Sequence, residues 1–150
     1  MIELREITPE NYAQALELSV RFEQDAFVAG ITKSLAEAYV WRESIFRLAF
    51  DGDVVVGYLL VFSFERETKS IVNIVRLMID ARYQGKGLGG DLLRAAIVWV
   101  SGFHPRPRTI RISTMADNTV ALSLYRSLGF HEAGIEDGEI ALYREVGSDT

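Results

Sequence analysis

The run Gln84-Gly85-Lys86-Gly87-Leu88-Gly89-Gly90 is the stretch of this 150-residue chain whose residue types and spacing speak most directly to chemistry. It stands between an apolar strand ending at Ile79 and an apolar helix that begins near Gly87. The first N–H groups of a helix have no partner inside it, and they point outward with the positive end of the macrodipole. Gly85, Gly87, Gly89 and Gly90 carry no Cβ, so an anion can approach their backbone closely. Lys86 and Arg82 add positive charge. The combination makes an anion cradle suited to a pyrophosphate. A glycine-rich cap without a ligand has the same spacing, and spacing alone does not separate the two. No Lys-Ser/Thr pair follows, as a P-loop needs. Nor does the run follow the first strand of a βαβ unit, as a dinucleotide fingerprint does.

Other chemistries are excluded by what the chain lacks. It has no cysteine, which removes disulfides, thiolate metal sites and a Cys nucleophile. Its two histidines, His104 and His131, are too few for a His-rich zinc site, and a His triad is not expected; no metal site is expected. Carboxylates are unevenly placed. Residues 1–80 hold 13 acids and 8 bases, whereas residues 81–150 hold 8 of each. The acidic balance argues against nucleic acid as a partner. It suits either an ordinary solvated surface or a field that attracts a cationic substrate. Residues 1–6 lack a basic n-region followed by an apolar run, so no signal peptide is expected there, and the longest apolar stretch, Val54 to Phe62, is too short to span a bilayer. The expectation is a soluble cytoplasmic protein with no membrane partner.

The elements that must position these groups follow from periodicity. Met1 to Ile7 reads as a strand. Thr8-Pro9-Glu10 opens a helix running to about Val20, and Ser34-Leu35-Ala36-Glu37 has the spacing of a capping box that starts a second short helix. Ile45–Phe50 and Val54–Phe64 form a hairpin around Asp51-Gly52-Asp53. Residues 65–70 are a charged turn, and Ile71–Ile79 is the next strand. Leu88–Val100 is helical, with Leu92, Leu93, Ala96, Ile97 and Val100 on one stripe. Thr109–Thr114 is a strand parallel to Ile71–Ile79, because a helix crosses between them. Asn118–Leu128 is a helix ended by Gly129, and Phe130–Ile135 and Ile140–Arg144 form a last hairpin. The whole is one domain, residues 1–150, of the α+β class.

A wider pattern joins the turn to the later helix. Gln84-x-x-Gly87-x-Gly89 resembles the Arg/Gln-x-x-Gly-x-Gly/Ala signature of the GNAT superfamily of N-acetyltransferases. The preceding Leu77-Met78-Ile79-Asp80 resembles the end of that family's fourth strand. Asn118, Ala121, Tyr125, Gly129 and Phe130 match its second signature, Asn-x-x-Ala-x-x-x-Tyr-x-x-x-Gly-Phe. The resemblance covers roughly residues 45–144. It implies a mixed, mostly antiparallel sheet of about seven strands flanked by about four helices, with a splay between the fourth and fifth strands. It implies acetyl-CoA as cosubstrate, with its pantetheine arm added to the sheet like an extra strand.

Carried onto this sequence, backbone groups of Leu77, Met78 and Ile79 would hold the arm, and Gln84, Gly85, Lys86, Gly87, Leu88, Gly89 and Gly90 the pyrophosphate. Asn118 would bond the arm from the other side, with Ala121 and Tyr125 lining the thioester end. A main-chain N–H at Met78 would stabilise the oxyanion, and the Tyr125 hydroxyl would protonate the leaving thiolate. Tyr125 also lies on the helical stripe Ala121, Leu124, Tyr125, Leu128, where an aromatic is ordinarily core, and Asn118 also suits a plain N-cap. Without a cysteine, direct attack in a ternary complex is favoured over an acetyl-enzyme.

A finer likeness spans both halves of the chain. Phe27-Val28-Ala29, Ser34 to Tyr39, and Arg76 to Gly87 are similar to bacterial spermine/spermidine N-acetyltransferases. That implies a small, cationic, polyamine-like amine as acceptor, met by carboxylates spaced along a channel. Glu23, Asp25, Glu37 and Glu43 are the candidates, with Arg76 as a further substrate-side residue or the partner of an acid there. The general base stays open among carboxylates and water. Other acceptors (a protein N-terminus, an aminoglycoside, an amino acid) and a non-catalytic acyl-CoA-binding module also remain, as does a homodimer.

Overall fold

The computed structural model describes residues 1–19 and 30–147. Its elements are β1 (Ile2–Arg5), α1 (Tyr12–Ala15), α2 (Ile31–Val40), β2 (Ser44–Asp51), β3 (Val54–Arg66) and β4 (Lys69–Ile79). A 3-10 turn, Ala81–Tyr83, leads to α3 (Leu88–Ser101), β5 (Thr109–Thr114), α4 (Thr119–Ser127), β6 (His131–Glu136) and β7 (Glu139–Glu145). The seven strands hydrogen-bond in the order β1-β2-β3-β4-β5-β7-β6. The β4–β5 pair is parallel, as a crossover through α3 requires, while β1–β2, β2–β3, β5–β7 and β6–β7 are antiparallel. The parallel register runs from Ile71↔Thr109 to Asn73↔Arg111, while β4 continues to Ile79 and β5 to Thr114. This is the mixed, mostly antiparallel α+β sheet that the sequence predicts.

The described residues gather into two compact units, those within Met1–Phe62 and Val75–Ala96, and those within Ser63–Ile74 and Ile97–Thr150. In the first, Phe46, Leu48 and Phe50 of β2 and Tyr58 and Leu60 of β3 form a buried cluster with Ala15, Leu18, Ile31 and Met78. The rings of Phe46 and Tyr58 stack at 5.3 Å. A bulge interrupts the β2–β3 register, so that Ala49 faces Gly57 while Phe50 faces Val55. Gly57 is required there: a Cβ at this position would stand 2.0 Å from the carbonyl oxygen of Met78.

Two helices differ from their sequence patterns, for reasons of tertiary contact. The first covers only Tyr12–Ala15 rather than reaching Val20, because the Ser19 backbone is bonded to Asp80 and Ala81 instead. The second begins at Ile31 with Gly30 as its N-cap, so Ser34 does not cap it. Ser34 is buried inside the helix, where its hydroxyl bonds Gly30 O and shares a 3.0 Å hydrogen bond with the Tyr58 hydroxyl. The charged turn also shrinks: β3 and β4 extend until only Glu67 and Thr68, both at positive φ, reverse the chain.

In the second unit, β7 lies between β5 and β6, and Ile110, Ile112, Leu122, Phe130, Ala141 and Leu142 are buried. Helix α4 ends at Gly129, whose φ of 89° is left-handed. The buried Arg144 donates from Nε to the Leu128 carbonyl at 2.8 Å, satisfying a helix-end acceptor.

Candidate active site

Strand β4 delivers the chain to the glycine turn through Asp80, which is 1% exposed. Its Oδ1 accepts from the Arg82 N–H at 2.9 Å and from Arg82 Nε at 2.8 Å, and its Oδ2 accepts from the Ser19 N–H at 2.9 Å. Burial alone would raise this carboxyl's pKa. The Arg82 side chain and the Ser19 and Arg82 N–H groups outweigh burial and hold it below the ordinary value. Arg82 is therefore committed to Asp80, with its guanidinium 5.3 Å from the Tyr83 ring centroid. The side chain of Gln84 reaches back, donating from Nε2 to the Ile79 carbonyl at 2.8 Å. It thus fastens the turn to the strand end.

Beyond Gln84 the backbone does what the glycines permit. Gly85 and Gly87 have φ of 81° and 79°, and nothing stands within 4 Å of a Cβ placed at Gly85, Gly87 or Gly89. Left-handed backbone, rather than crowding, is what calls for glycine at 85 and 87. The first intrahelical bond of α3 runs from the Asp91 N–H to Gly87 O at 3.2 Å. The N–H groups of Leu88, Gly89 and Gly90 precede it and so have no helical acceptor. Lys86 is exposed, with Nζ 5.9 Å from the Tyr83 centroid. Open space, free donors and a cation in one turn fit a pyrophosphate.

Met78 and Ile79 are buried and Leu77 is half-buried. The Met78 side chain belongs to the core, which leaves only its main chain for chemistry. One residue pair earlier on the strand, Arg76 Nη1 lies 3.0 Å from Glu37 Oε1 of α2. The contact is an ion pair without hydrogen-bond alignment, since neither buried atom has a hydrogen-bond partner among the described residues.

Glu37 also forms part of the wall of a cavity of about 210 Å³ shared with Trp41, Ser44, Leu60, Phe62 and Val75. Ser44 closes the C-terminal end of α2, its hydroxyl donating to Trp41 O at 2.5 Å. Of the other acidic candidates, Glu43 is exposed in the turn before β2, and Glu23 and Asp25 lie outside the described residues. Apart from Glu37, the cavity residues were not legible in the sequence, nor was the anchoring role of Asp80. Their only local signal was a polar residue at an element boundary, at Asp80 just after β4 and at Ser44 where β2 begins.

In the second unit, Asn118 caps α4: its Oδ1 accepts from the Ala121 N–H at 3.2 Å. Tyr125 is half-buried beside Phe130, with centroids 6.2 Å apart. Burial first, and then the charge of Glu139, push its hydroxyl pKa up to about 12. Glu139 is held by Ser113, whose Oγ donates to Oε1 at 2.7 Å. Among the described residues, no group of three His, Cys, Asp or Glu could hold a metal ion, and no helix is long and apolar enough to cross a membrane.

Residues 9–130 match the sequence profile of the Acetyltransferase (GNAT) family. The chain is 30% identical over 154 aligned residues to the spermine/spermidine N(1)-acetyltransferase of Bacillus subtilis, covering 97% of this chain and 99% of that protein. It is 31% identical over 101 residues to the N-alpha-acetyltransferase RimI of Mycobacterium tuberculosis, covering 67% of this chain and 59% of that protein. A solved aminoglycoside acetyltransferase, AAC(6')-Ib with coenzyme A, shares the fold with a TM-score of 0.77 at 20% identity, covering 97% of this chain and 95% of that one.

Proposed function

This chain belongs to the acetyltransferase (GNAT) family, and on that premise we propose that it transfers the acetyl group of acetyl-CoA to a primary amine of a polyamine or a similar small cationic acceptor. The observation that carries the donor half is the turn at Gly85–Gly90: two left-handed glycines, open space and the free first N–H groups of α3, with Lys86 alongside. The acceptor half is supported by the whole-length likeness to a spermine/spermidine N(1)-acetyltransferase and by Glu37 at a cavity wall.

Bound acetyl-CoA supplies an electrophilic thioester carbonyl. Each residue has a task toward it in this reading. Gln84, Gly85, Lys86, Gly87, Leu88, Gly89 and Gly90 hold the pyrophosphate, and backbone groups of Leu77–Ile79 hold the pantetheine arm. A main-chain N–H of that run, at or beside Met78, donates to the carbonyl oxygen as negative charge builds on it. Asn118 and Ala121 bound the arm. An aliphatic amine, with a pKa of about 10.4, must first shed a proton to a carboxylate or to water. The Tyr125 hydroxyl then protonates the leaving thiolate. With no cysteine to carry the acetyl group, transfer is direct, in a ternary complex.

Residues 1–150 act as one such domain, in a cytoplasm whose reducing conditions suit a cysteine-free chain, alone or as a homodimer. The likeness to RimI favours a protein N-terminus as the second candidate acceptor. An assay of CoA release against spermine, spermidine, short peptides, aminoglycosides and amino acids tests the reading. Polyamines are expected to give the highest kcat/KM, and CoA release should need both substrates. Failure to bind CoA in a calorimeter would sink the proposal.

A further inference from the structure

We infer that the cavity between the C-terminal end of α2 and strands β3 and β4 is the subsite for the aliphatic arm of the acceptor, with Glu37 receiving its distal ammonium and Trp41, Phe62 and Val75 setting the arm's length. This rests on the amine-acetylating reading above and narrows its substrate class to amines with a methylene run ending in a second cation.

The lining carries the argument. Leu60, Phe62, Val75 and Trp41 are apolar, and the Ser44 hydroxyl is turned toward the Trp41 carbonyl at 2.5 Å. Glu37 is therefore the one charged group in the wall. Its Oε1 faces Arg76, yet the pair is not hydrogen-bonded, and the side chain is 29% exposed against 15% for Arg76. A carboxylate has about four lone-pair sites on two oxygens, so Oε2 can accept from an ammonium while Oε1 stays on Arg76. Arg76 also balances the local charge, so the wall suits one ammonium rather than a cluster of them.

Trp41 is 56% exposed and makes no ring or cation contact among the described residues, which leaves its indole face for a ligand cation. A cavity of about 210 Å³ falls below the ~300–1,000 Å³ of pockets that take a whole drug-sized molecule. It fits a segment. A polyamine alternates methylene runs with ammonium groups, and both halves of that pattern have a counterpart in this wall.

The test compares diamines with monoamines of equal length, from four to eight carbons, on the full chain with acetyl-CoA. For the parent, kcat/KM is expected to rise up to about four-fold per methylene until the cavity is full, and each diamine should outperform its monoamine. Glu37→Gln keeps the side-chain volume and should cut the diamine preference about ten-fold, which is about 1.4 kcal/mol. Trp41→Ala removes an exposed ring and should flatten the length dependence. Val75→Phe fills the cavity and should exclude long diamines before short ones. If diamines are acetylated but none of the three variants alters preference or length dependence, the subsite is wrong and the acetyl-transfer reading stands. If no amine of the series is acetylated, calorimetry with diaminooctane decides. Binding that Glu37→Gln abolishes supports the subsite and overturns the acceptor reading, whereas no binding to the parent overturns both.

Discussion

Oδ2 of the buried Asp80 accepts a hydrogen bond at 2.9 Å from the main-chain N–H of Ser19, and the next N–H along, that of Ala81, donates to the Ser19 carbonyl at 2.7 Å. This clasp joins the chain after α1 to the segment that leads into the glycine turn. Its strength depends on the charge of Asp80, whose pKa lies below the ordinary carboxylate value. A group depressed in the folded state contributes stability above its unfolded pKa of about 3.9, and the contribution is lost as pH falls through the folded value. Chemical denaturation of the parent should therefore show stability falling below about pH 4. In Asp80→Asn that acid-dependent part should be missing. The variant should also be less stable at neutral pH by about 1–3 kcal/mol, because an amide NH₂ cannot accept from the donors that Asp80 satisfies.

Gly57 and Met78 give a second expectation. A Cβ at Gly57 would lie 2.0 Å from the Met78 carbonyl oxygen and 3.1 Å from Ile79 Cδ1. The nearer atom is backbone, so no side-chain rotation relieves the clash and β4 must shift. Gly57→Ala should lower stability by about 1–3 kcal/mol, the usual scale of overpacking. Because the displaced residues are those assigned to the pantetheine arm, kcat/KM should fall as well. Thermal unfolding and steady-state assays on one preparation check both. A variant with the parent's melting temperature and turnover would show that β4 accommodates the methyl group freely.

The parts of this fold that were legible in the sequence are those set by local patterns. Thr109–Thr114 alternates and is a strand over that span, Asn118 is a helix cap, and Gly129 ends the helix it opens. The glycines at 85 and 87 mark an open turn before α3, while the left-handed backbone they adopt there is set by the fold. The misreadings occur where a distant residue takes over a local signal. Ser34 has the spacing of a cap, but the Tyr58 hydroxyl draws it into the core. Ser19 sits within an extended helical pattern, but Asp80, 61 residues away, claims its N–H. Glu37 has capping-box spacing but does not cap; it pairs with Arg76 within the unit, as the reading of Arg76 as the partner of an acid allows. The cavity beside Glu37 was invisible because Leu60, Phe62 and Val75 read as ordinary strand residues, and nothing local distinguishes a cavity wall from a core face.

The glycine turn should respond to substitution by two separable mechanisms. Gly87 has φ of 79°, where an L-residue costs roughly 1–2 kcal/mol. Gly87→Val should weaken CoA binding about ten-fold or more, because either the turn relaxes or the strain is carried into the bound state. Lys86 acts through charge alone. Lys86→Ala should weaken CoA binding at low salt, and the difference should vanish near molar salt, where the Debye length is about 3 Å. Calorimetric titration with CoA at two ionic strengths distinguishes the cases, since the Gly87 effect should persist at both.

Tyr125 offers the sharpest test of mechanism, because its pKa is pushed up to about 12, first by burial and then by the Glu139 carboxylate. A phenol so shifted keeps its proton throughout the range in which an acceptor amine titrates, so it can serve as an acid while the amine is already neutral. Tyr125→Phe should lower kcat by about 10²–10⁴-fold, the span of general acid catalysis, with CoA affinity changed little. Glu139→Gln removes a negative charge from the tyrosine's surroundings, which eases ionisation. The Tyr125 pKa should then fall toward its ordinary value of about 10, and the alkaline loss of kcat should begin at lower pH than in the parent. The pH profile of kcat for the two proteins, measured with saturating acetyl-CoA, checks the direction. If Tyr125→Phe turns over at the parent's rate, the proton must reach the thiolate from another source.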